Sequence, residues 1–303
     1  MKFAHFADCH IGSWRDQKLR DLSVKAFAKA VDECIKERVD FIIIAGDFFN
    51  TALPPLDNLK EVVKKLKELK DKNIPIYGVT GSHDYSASGK TMIDVIEHAG
   101  LFRNVFRGSV NEGKLKLNFT IDEKTSAKIT GIKGRKGLLD KKYYEALEKG
   151  NLESEKGFKI FIFHTAIEEL KPKELDRMDS APLSYLPKNF DYYAGGHVHY
   201  IFYEKIPDYG IVAYPGALFP VNFAEIEKYS LGGYYLVNAD KKNNIIKAEW
   251  RPIKILNTYS IKVDCNNKNP RQVENEIKEV IKDKEFFNPI VTIRLFEVLE
   301  RGK

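Results

Sequence analysis

Seven histidines occur in this 303-residue chain, and six of them fall in or beside the ends of strand-like runs: His5, His10, His83, His164, His197 and His199. Carboxylates stand at several of the same places. Asp8-Cys9-His10 ends the first apolar run, Gly46-Asp47 the second and Gly81-Ser82-His83-Asp84 the third, while His164 closes a fourth and Gly195-Gly196-His197-Val198-His199 a fifth. Alternate side chains of an extended segment share a side, so Asp8 is expected to converge with His10, and His197 with His199. A carboxylate ending a buried strand, as at Asp47, is unfavourable without a cation. Two aspartates and up to five histidines without a thiolate form a mixed nitrogen and oxygen donor set. Such a set suits two divalent ions of the Mn, Fe or Zn kind bridged by a carboxylate. Any one of these histidines could equally be a hydrogen-bonded packing residue. Five motifs in order at successive strand ends favour the metal centre. His5, on the opposite side of its strand from His10, and His98, within a helical pattern, keep the packing reading.

The elements that must position these groups alternate through the first hundred residues. Residues 2–8, 40–47 and 74–80 read as strands. Residues 21–39 read as an amphipathic helix on Val24, Phe27, Ala28, Val31 and Ile35, and residues 55–73 as a second on Leu56, Leu59, Val63, Leu66 and Leu69. This β-α-β-α-β order implies a parallel sheet covered by helices, and a further helix is expected from Thr91. The middle is richer in strands, at 115–122, 128–132, 159–164, 190–195, 210–214, 233–237 and 245–250, with a short helix over 138–149. The expected class is α/β: a mixed sheet or two-sheet sandwich flanked by helices. After Lys254 a compact strand–helix–strand unit follows, at 260–263, 270–284 and 289–296. The expected division is therefore a large domain over 1–254 and a small one over 255–303.

Bulk properties narrow the class of protein. The longest apolar stretches are strand-sized, far below membrane-spanning length, and the N-terminus leads directly into a strand pattern with no apolar signal region. Three scattered cysteines, Cys9, Cys34 and Cys265, fit reduced thiols in a cytosol. A net charge of +6 is compatible with a nucleic-acid partner, but basic and acidic residues mix along stretches such as 60–72, which read as solvated faces. Two segments imitate a nucleotide-binding loop. Ser88-Gly89-Lys90-Thr91 has Asp84 where the first glycine of that loop belongs, and Gly108 to Leu115 has the spacing but lacks the Ser or Thr for Mg²⁺.

The order D-x-H, G-D, G-x-H-D, H, G-H-x-H is similar to that of the calcineurin-like metallophosphoesterases. MKFAHFADCHIG, VDFIIIAGD, GGHVH and VAYPGAL, with the Ile-Pro-Ile strand between, further resemble an archaeal nuclease family of the meiotic-recombination-eleven type, the nuclease subunit of the double-strand-break repair complex. The similarity runs through most of residues 1–255, and the small unit after it looks like that family's capping domain. The resemblance implies two Mn²⁺ ions. Asp8, His10 and His199 would hold one, His164 and His197 the other, and Asp47 would bridge them. His83 would stabilise or protonate at the scissile phosphate, with Asp84 fixing its tautomer. It also implies phosphodiester hydrolysis of DNA by 3′-to-5′ exonuclease and endonuclease action, a homodimer, and an SMC-like ABC-type ATPase as partner.

Two positions depart from the family pattern. Asn50 replaces a histidine in the loop after Asp47. Ser82 stands where the superfamily has an Asn that ligates the second metal, and its shorter side chain is expected to weaken that site. Arg15, Lys18 and Arg20 beside the first motif, and Lys133, Arg135 and Lys136 in a glycine-punctuated loop, are the candidates for contact with DNA phosphates. A phosphatase or small phosphodiesterase on the same scaffold, and a non-catalytic scaffold with a weakened metal site, are the competing functions.

Overall fold

The computed structural model describes residues 1–86, 89–135, 137, 139–240, 245–284 and 289–299. Its first part runs β1 (Lys2–Phe6), α1 (Gln17–Glu37), β2 (Phe41–Ala45), α2 (Leu56–Asp71), β3 (Ile76–Val79), α3 (Met92–His98) and β4 (Arg103–Asn104). The four strands are parallel neighbours, as their alternation with helices requires. All five residues of β2, Phe-Ile-Ile-Ile-Ala, are buried, because helices cover one face of the sheet and a second sheet covers the other. Helix α1 starts earlier than its apolar stripe, since the Asp16 carboxylate accepts the Leu19 N–H at 3.0 Å and caps the first turn. A capping box between Thr91 and Asp94 starts α3.

The chain continues through β5 (Gly108–Asn111), β6 (Lys114–Leu117), β7 (Thr120–Ile121), β8 (Lys128–Ile132), α4 (Lys141–Glu145), α5 (Gly150–Glu153) and β9 (Lys159–His164). It then forms β10 (Tyr192–Gly196), β11 (Phe202–Ile206), β12 (Gly210–Tyr214), α6 (Phe223–Tyr229), β13 (Gly232–Asp240) and β14 (Ile245–Ile253). One six-stranded sheet has the order β14-β13-β1-β2-β3-β4 and the other β11-β12-β10-β9-β8-β7. Their facing sides share one core: Phe3, Phe41, Ile43 and Tyr77 from the first meet Ile129, Ile160, Ile162 and Tyr192 from the second. The two-sheet sandwich expected from the sequence is thus present.

Three local expectations change. The strand expected over 115–122 divides: β6 pairs with β5 in a separate hairpin, and β7 pairs with β8. The hairpin turns at Glu112-Gly113, both with positive φ, so the second imitation of a nucleotide-binding loop is a β-turn. The helix expected over 138–149 is confined to the short α4, and its residue 138 lies outside the described residues. Strand β11 gave no signal because it is an edge strand with three exposed residues in five, Tyr203, Glu204 and Lys205.

The chain forms two compact units, Met1–Phe219 with Gly233–Ile253, and Pro220–Gly232 with Lys254–Lys303. The linear division at residue 254 therefore differs from the contact pattern by one segment, which includes α6. In the second unit β15 (Thr258–Asp264), α7 (Pro270–Lys282) and β16 (Ile290–Phe296) form a parallel β-α-β unit around Ile261, Val263, Cys265 and Val273. Asn269 and Gln272 cap α7 reciprocally, and Arg294 of β16 forks onto Glu227 of α6 at 2.7–3.1 Å. All three cysteines are free and buried. Among the described residues no helix is long and apolar enough to cross a membrane.

His5 is a core residue. Fully buried, its Nδ1 lies 3.0 Å from the Tyr192 hydroxyl across the sandwich, and burial pushes its pKa from 6.5 down to about 3. The unfolded chain therefore binds a proton at His5 below pH 6.5 that the folded chain refuses, so this contribution to stability is complete above pH 6.5 and lost as pH falls towards 3. At pH 4 the loss amounts to roughly 3 kcal/mol. Denaturant unfolding of wild type and of His5→Gln, measured from pH 7 to pH 4, should show stability losses that differ by about that amount at pH 4; parallel pH profiles would contradict it.

Candidate metal centre

The carboxyl ends of β1, β2 and β3 in one sheet, and of β9 and β10 in the other, open onto a single place. His10 Nε2 lies 3.3 Å from His199 Nε2, 3.6 Å from Asp47 Oδ2 and 4.0 Å from Asp8 Oδ1. His199 Nε2 is 3.7 Å from Asp8 Oδ1, and His164 Nε2 is 3.2 Å from Asp47 Oδ2. Three overlapping sets, Asp8-His10-His199, His10-Asp47-His83 and Asp8-Asp47-His164, each bring their ligand atoms within 4.8 Å of one another. The His197 ring stands 5.2 Å from that of His164. Asp8, His10, Asp47, His164, His197, His199 and His83 are thereby brought together.

They converge by a route other than strand alternation. Asp8 and His10 lie beyond the end of β1, and Asp8, His10, Asp47 and His197 all have positive φ, at 47°, 41°, 49° and 84°. This left-handed backbone is strained for residues with a β-carbon and persists only where surroundings impose it. Here hydrogen bonds impose it. The Asp8 N–H donates to the Gly46 carbonyl at 3.2 Å and the His10 N–H to the Asp47 carbonyl at 3.0 Å. The His197 N–H donates to both Asp8 carboxylate oxygens at 3.0 Å, and the His83 N–H to Asp47 Oδ1 at 2.7 Å. Glycines complete the seat: a β-carbon at Gly46 or Gly134 would collide with the His164 imidazole, and one at Gly81 with the Asp47 carboxylate.

The electrostatics fit cations. His164 Nδ1 donates to the Ala45 carbonyl at 2.8 Å, leaving Nε2 to face Asp47, buried and without hydrogen-bond geometry to any partner. The His10 and His199 Nε2 atoms approach too closely for two lone pairs unless a proton or a cation mediates. Burial pushes Asp8 up to about 7, His10 down to about 3 and His197 down to about 4. Burial also disfavours charge on His164 and Asp47, but their mutual attraction prevails, raising the imidazole to about 10 and holding the carboxyl well below its usual range. Buried nitrogen and oxygen donors converging without thiolates, several neutralised by burial, are the donor set of a two-cation centre.

The structure corrects the role expected of Asp84. Its carboxylate accepts the N–H groups of Gly81 at 2.9 Å, Phe48 at 3.2 Å and Phe49 at 2.9 Å, and it does not pair with His83. Burial and the nearby Asp47 raise it to about 6. Asp84 thus ties the His83 loop to the Asp47 loop. His83 is oriented through Nδ1, 3.0 Å from the carbonyl of Asn50, the residue whose side chain departs from the family pattern. Ser82 is buried beside it. Of the basic candidates, Arg15 and Lys18 are exposed, whereas Arg20 donates to the carbonyls of Trp14 and Arg15 and braces that loop. Lys133 and Arg135 lie over aromatic rings, and Lys136 falls outside the described residues. Sequence reasoning missed Gly134, the Asn50 carbonyl and the Phe48 and Phe49 amides. Only the glycine had a visible signal, its place in a Gly-x-x-Gly stretch.

Residues 1–200 match the calcineurin-like phosphoesterase family, and the chain belongs to it. Within that class it is similar to archaeal proteins named DNA double-strand break repair protein Mre11. The one from Methanococcus maripaludis is 31% identical over 248 residues, spanning 78% of this chain and 62% of that protein. The one from Archaeoglobus fulgidus is 28% identical over 299 residues, spanning 93% and 65%. The chain therefore spans less than two thirds of the length of these relatives. A solved dimetal phosphatase from Danio rerio shares the fold, with a TM-score of 0.51 and 10% identity over 84% of this chain and 98% of its own.

Two outcomes follow from the seat and its charges. Gly134→Ala should push His164 out of line and weaken divalent-metal binding by about 10–100-fold while unfolding stays cooperative; unchanged affinity in a metal titration would contradict the cradle. Metal uptake needs Asp8 ionised and His164 neutral, so affinity should fall as pH drops from about 10 and more steeply below about 7, with proton release at pH 7 to 8. Calorimetric titration in buffers of different ionisation enthalpy measures both.

Proposed function

We propose that this chain is a two-metal DNA nuclease acting in double-strand-break repair. The convergence of Asp8, Asp47 and five histidines at the meeting ends of both sheets carries the reading, and the similarity to archaeal break-repair proteins directs it to DNA. Asp8, His10 and His199 would hold one ion, His164 and His197 the second, and Asp47 both. The ions, two Mn²⁺ in this reading, supply charge neutralisation at the phosphoryl oxygens and lower the pKa of water when bound.

The chain's own residues do the rest. His83, with Nδ1 directed at the Asn50 carbonyl, keeps Nε2 to hold a proton for the departing oxygen, and its ring stands 4.7 Å from that of His10. Asp84 keeps this loop and the Asp47 loop in fixed register. Burial of Asp8, Asp47 and His164 excludes bulk water from behind the centre, so that its polar groups act at low dielectric. Arg15 and Lys18 are free to meet strand phosphates. Exonuclease action from the 3′ end and endonuclease action both belong to this reading.

The partners follow the same similarity. An SMC-like ABC-type ATPase would supply ATP hydrolysis. A homodimer is supported by Leu53, Leu56 and Val95, which are 70%, 78% and 58% exposed on neighbouring segments joined by the Met92 N–H bond to the Ala52 carbonyl. The lower part of α2 buries Val62, Leu66 and Leu69, so Val62 takes the buried place expected of Val63. A cytoplasmic setting suits the three free thiols.

Purified protein with Mn²⁺ should degrade 3′-labelled duplex DNA, and His83→Ala should abolish this. Turnover of p-nitrophenyl phosphate esters alone would instead support a phosphatase or small phosphodiesterase, and no turnover of either a non-catalytic scaffold. Ser82→Asn should tighten the weaker Mn²⁺ site by about 10-fold or more in a metal titration; equal affinities would remove Ser82 as the cause of a weakened site.

A further inference from the structure

The loop after β8 carries two cations, Lys133 and Arg135, on either side of Gly134. Gly134 packs on the His164 ring, and its N–H donates to the Thr80 carbonyl at 2.9 Å, so the loop lies between a ligand histidine and the start of the His83 loop. Tyr85 directly follows Asp84. The Arg135 guanidinium carbon sits 4.8 Å from the centroid of the Tyr85 ring, Nη2 donates to the Tyr85 hydroxyl at 3.0 Å, and Nη1 donates to the Tyr143 hydroxyl at 3.3 Å. Lys133 Nζ lies 5.0 Å from the Phe106 ring centroid and 5.8 Å from that of Tyr143.

This arrangement is unusual in what it leaves out. Among the described residues no carboxylate pairs with Arg135; its hydrogen bonds go to neutral phenols, and its Nε is buried with no partner. A guanidinium offers five donors in a planar fork matched to two oxygens of a phosphate. Two phenol bonds leave the fork under-used and its charge uncompensated. A mere tie between loops would need only a neutral donor. A cation fixed in direction by aromatic rings, with little rotamer freedom left to lose, is organised in advance for an anion.

Resting on the nuclease reading, we propose that Arg135, set by Tyr85 and Tyr143 and assisted by Lys133, binds a non-scissile phosphate of the substrate strand. The centre thereby distinguishes a polynucleotide from an isolated phosphoester. A single ester offers one phosphate to the metals. A strand offers neighbours, and this rim engages one of them. Arg135 and Tyr85 are positioning residues, acting on the substrate's placement and on no reacting atom.

The test compares two substrates in the full-length protein with Mn²⁺: a single-stranded oligonucleotide and bis(p-nitrophenyl) phosphate. Arg135→Ala should lower the ratio of kcat/KM for the oligonucleotide to that for the small diester by roughly 10- to 100-fold, chiefly through KM. It should also reduce the salt slope of oligonucleotide binding by about one phosphate contact. Arg135→Lys, which keeps the charge and loses the fork, should recover only part of the ratio. On the substrate side, a neutral methylphosphonate at the phosphate flanking the scissile one, on one side or the other, should weaken wild type as the mutation does and add nothing to Arg135→Ala. An equal fall with both substrates would overturn the proposal in favour of a purely structural tie, as would an unchanged ratio or additive effects of methylphosphonate and mutation. If the wild type cleaves the small diester and no oligonucleotide, the nuclease reading itself fails, and the proposal with it.

Discussion

The Asp47 carboxylate, buried against His164 where the ends of the two sheets meet, is the contact on which the rest of the centre depends. Removing a carboxylate from water is tolerable only where charge and hydrogen bonds replace the solvent. Asp47 receives both, from His164 across the sandwich and from the His83 N–H of the neighbouring loop. Most of the surrounding architecture can be read as the means of keeping those donors in place. Gly46, Gly81 and Gly134 leave room for the imidazole and the carboxylate, and Asp84 holds the adjoining turns together with three backbone hydrogen bonds.

The positions of chemistry were legible in the sequence, and the way they are presented was not. Buried parallel strands announce themselves as unbroken apolar runs, as at Phe41–Ala45, and polar residues that follow such runs mark a strand end. That is enough to place Asp47 and His164. It does not reveal that Asp8 and His10 sit in left-handed backbone beyond β1, because the conformation is imposed by bonds to Gly46 and Asp47, some forty residues away in sequence. Asp84 shows the same limit. A carboxylate beside a histidine invites a pairing, but the structure gives the histidine a main-chain carbonyl and the carboxylate three main-chain amides. Main-chain partners leave no trace in residue type.

Elements whose existence depends on distant partners depart from the local pattern in the same way. β11 and the broken 115–122 segment depend on pairing partners and on edge position, which local pattern does not encode. The segment Pro220–Gly232 leaves the first unit and joins the second through contacts such as Arg294 with Glu227, a pairing between distant residues that no composition shift marks. Where local propensity and burial agree, as in α1, α2 and the central strands, sequence and structure coincide to within a few residues at each end.

The donor set is divided between the sheets. Asp8, His10, Asp47 and His83 come from loops of one, and His164, His197 and His199 from the other. Neither half of the chain carries a competent set alone. The centre is complete only when residues beyond 190 close the sandwich, and the first sheet itself takes in β13 and β14 from late in the chain. Assembly of the centre is thereby coupled to completion of the fold, so a nascent or partly opened chain lacks the full donor set.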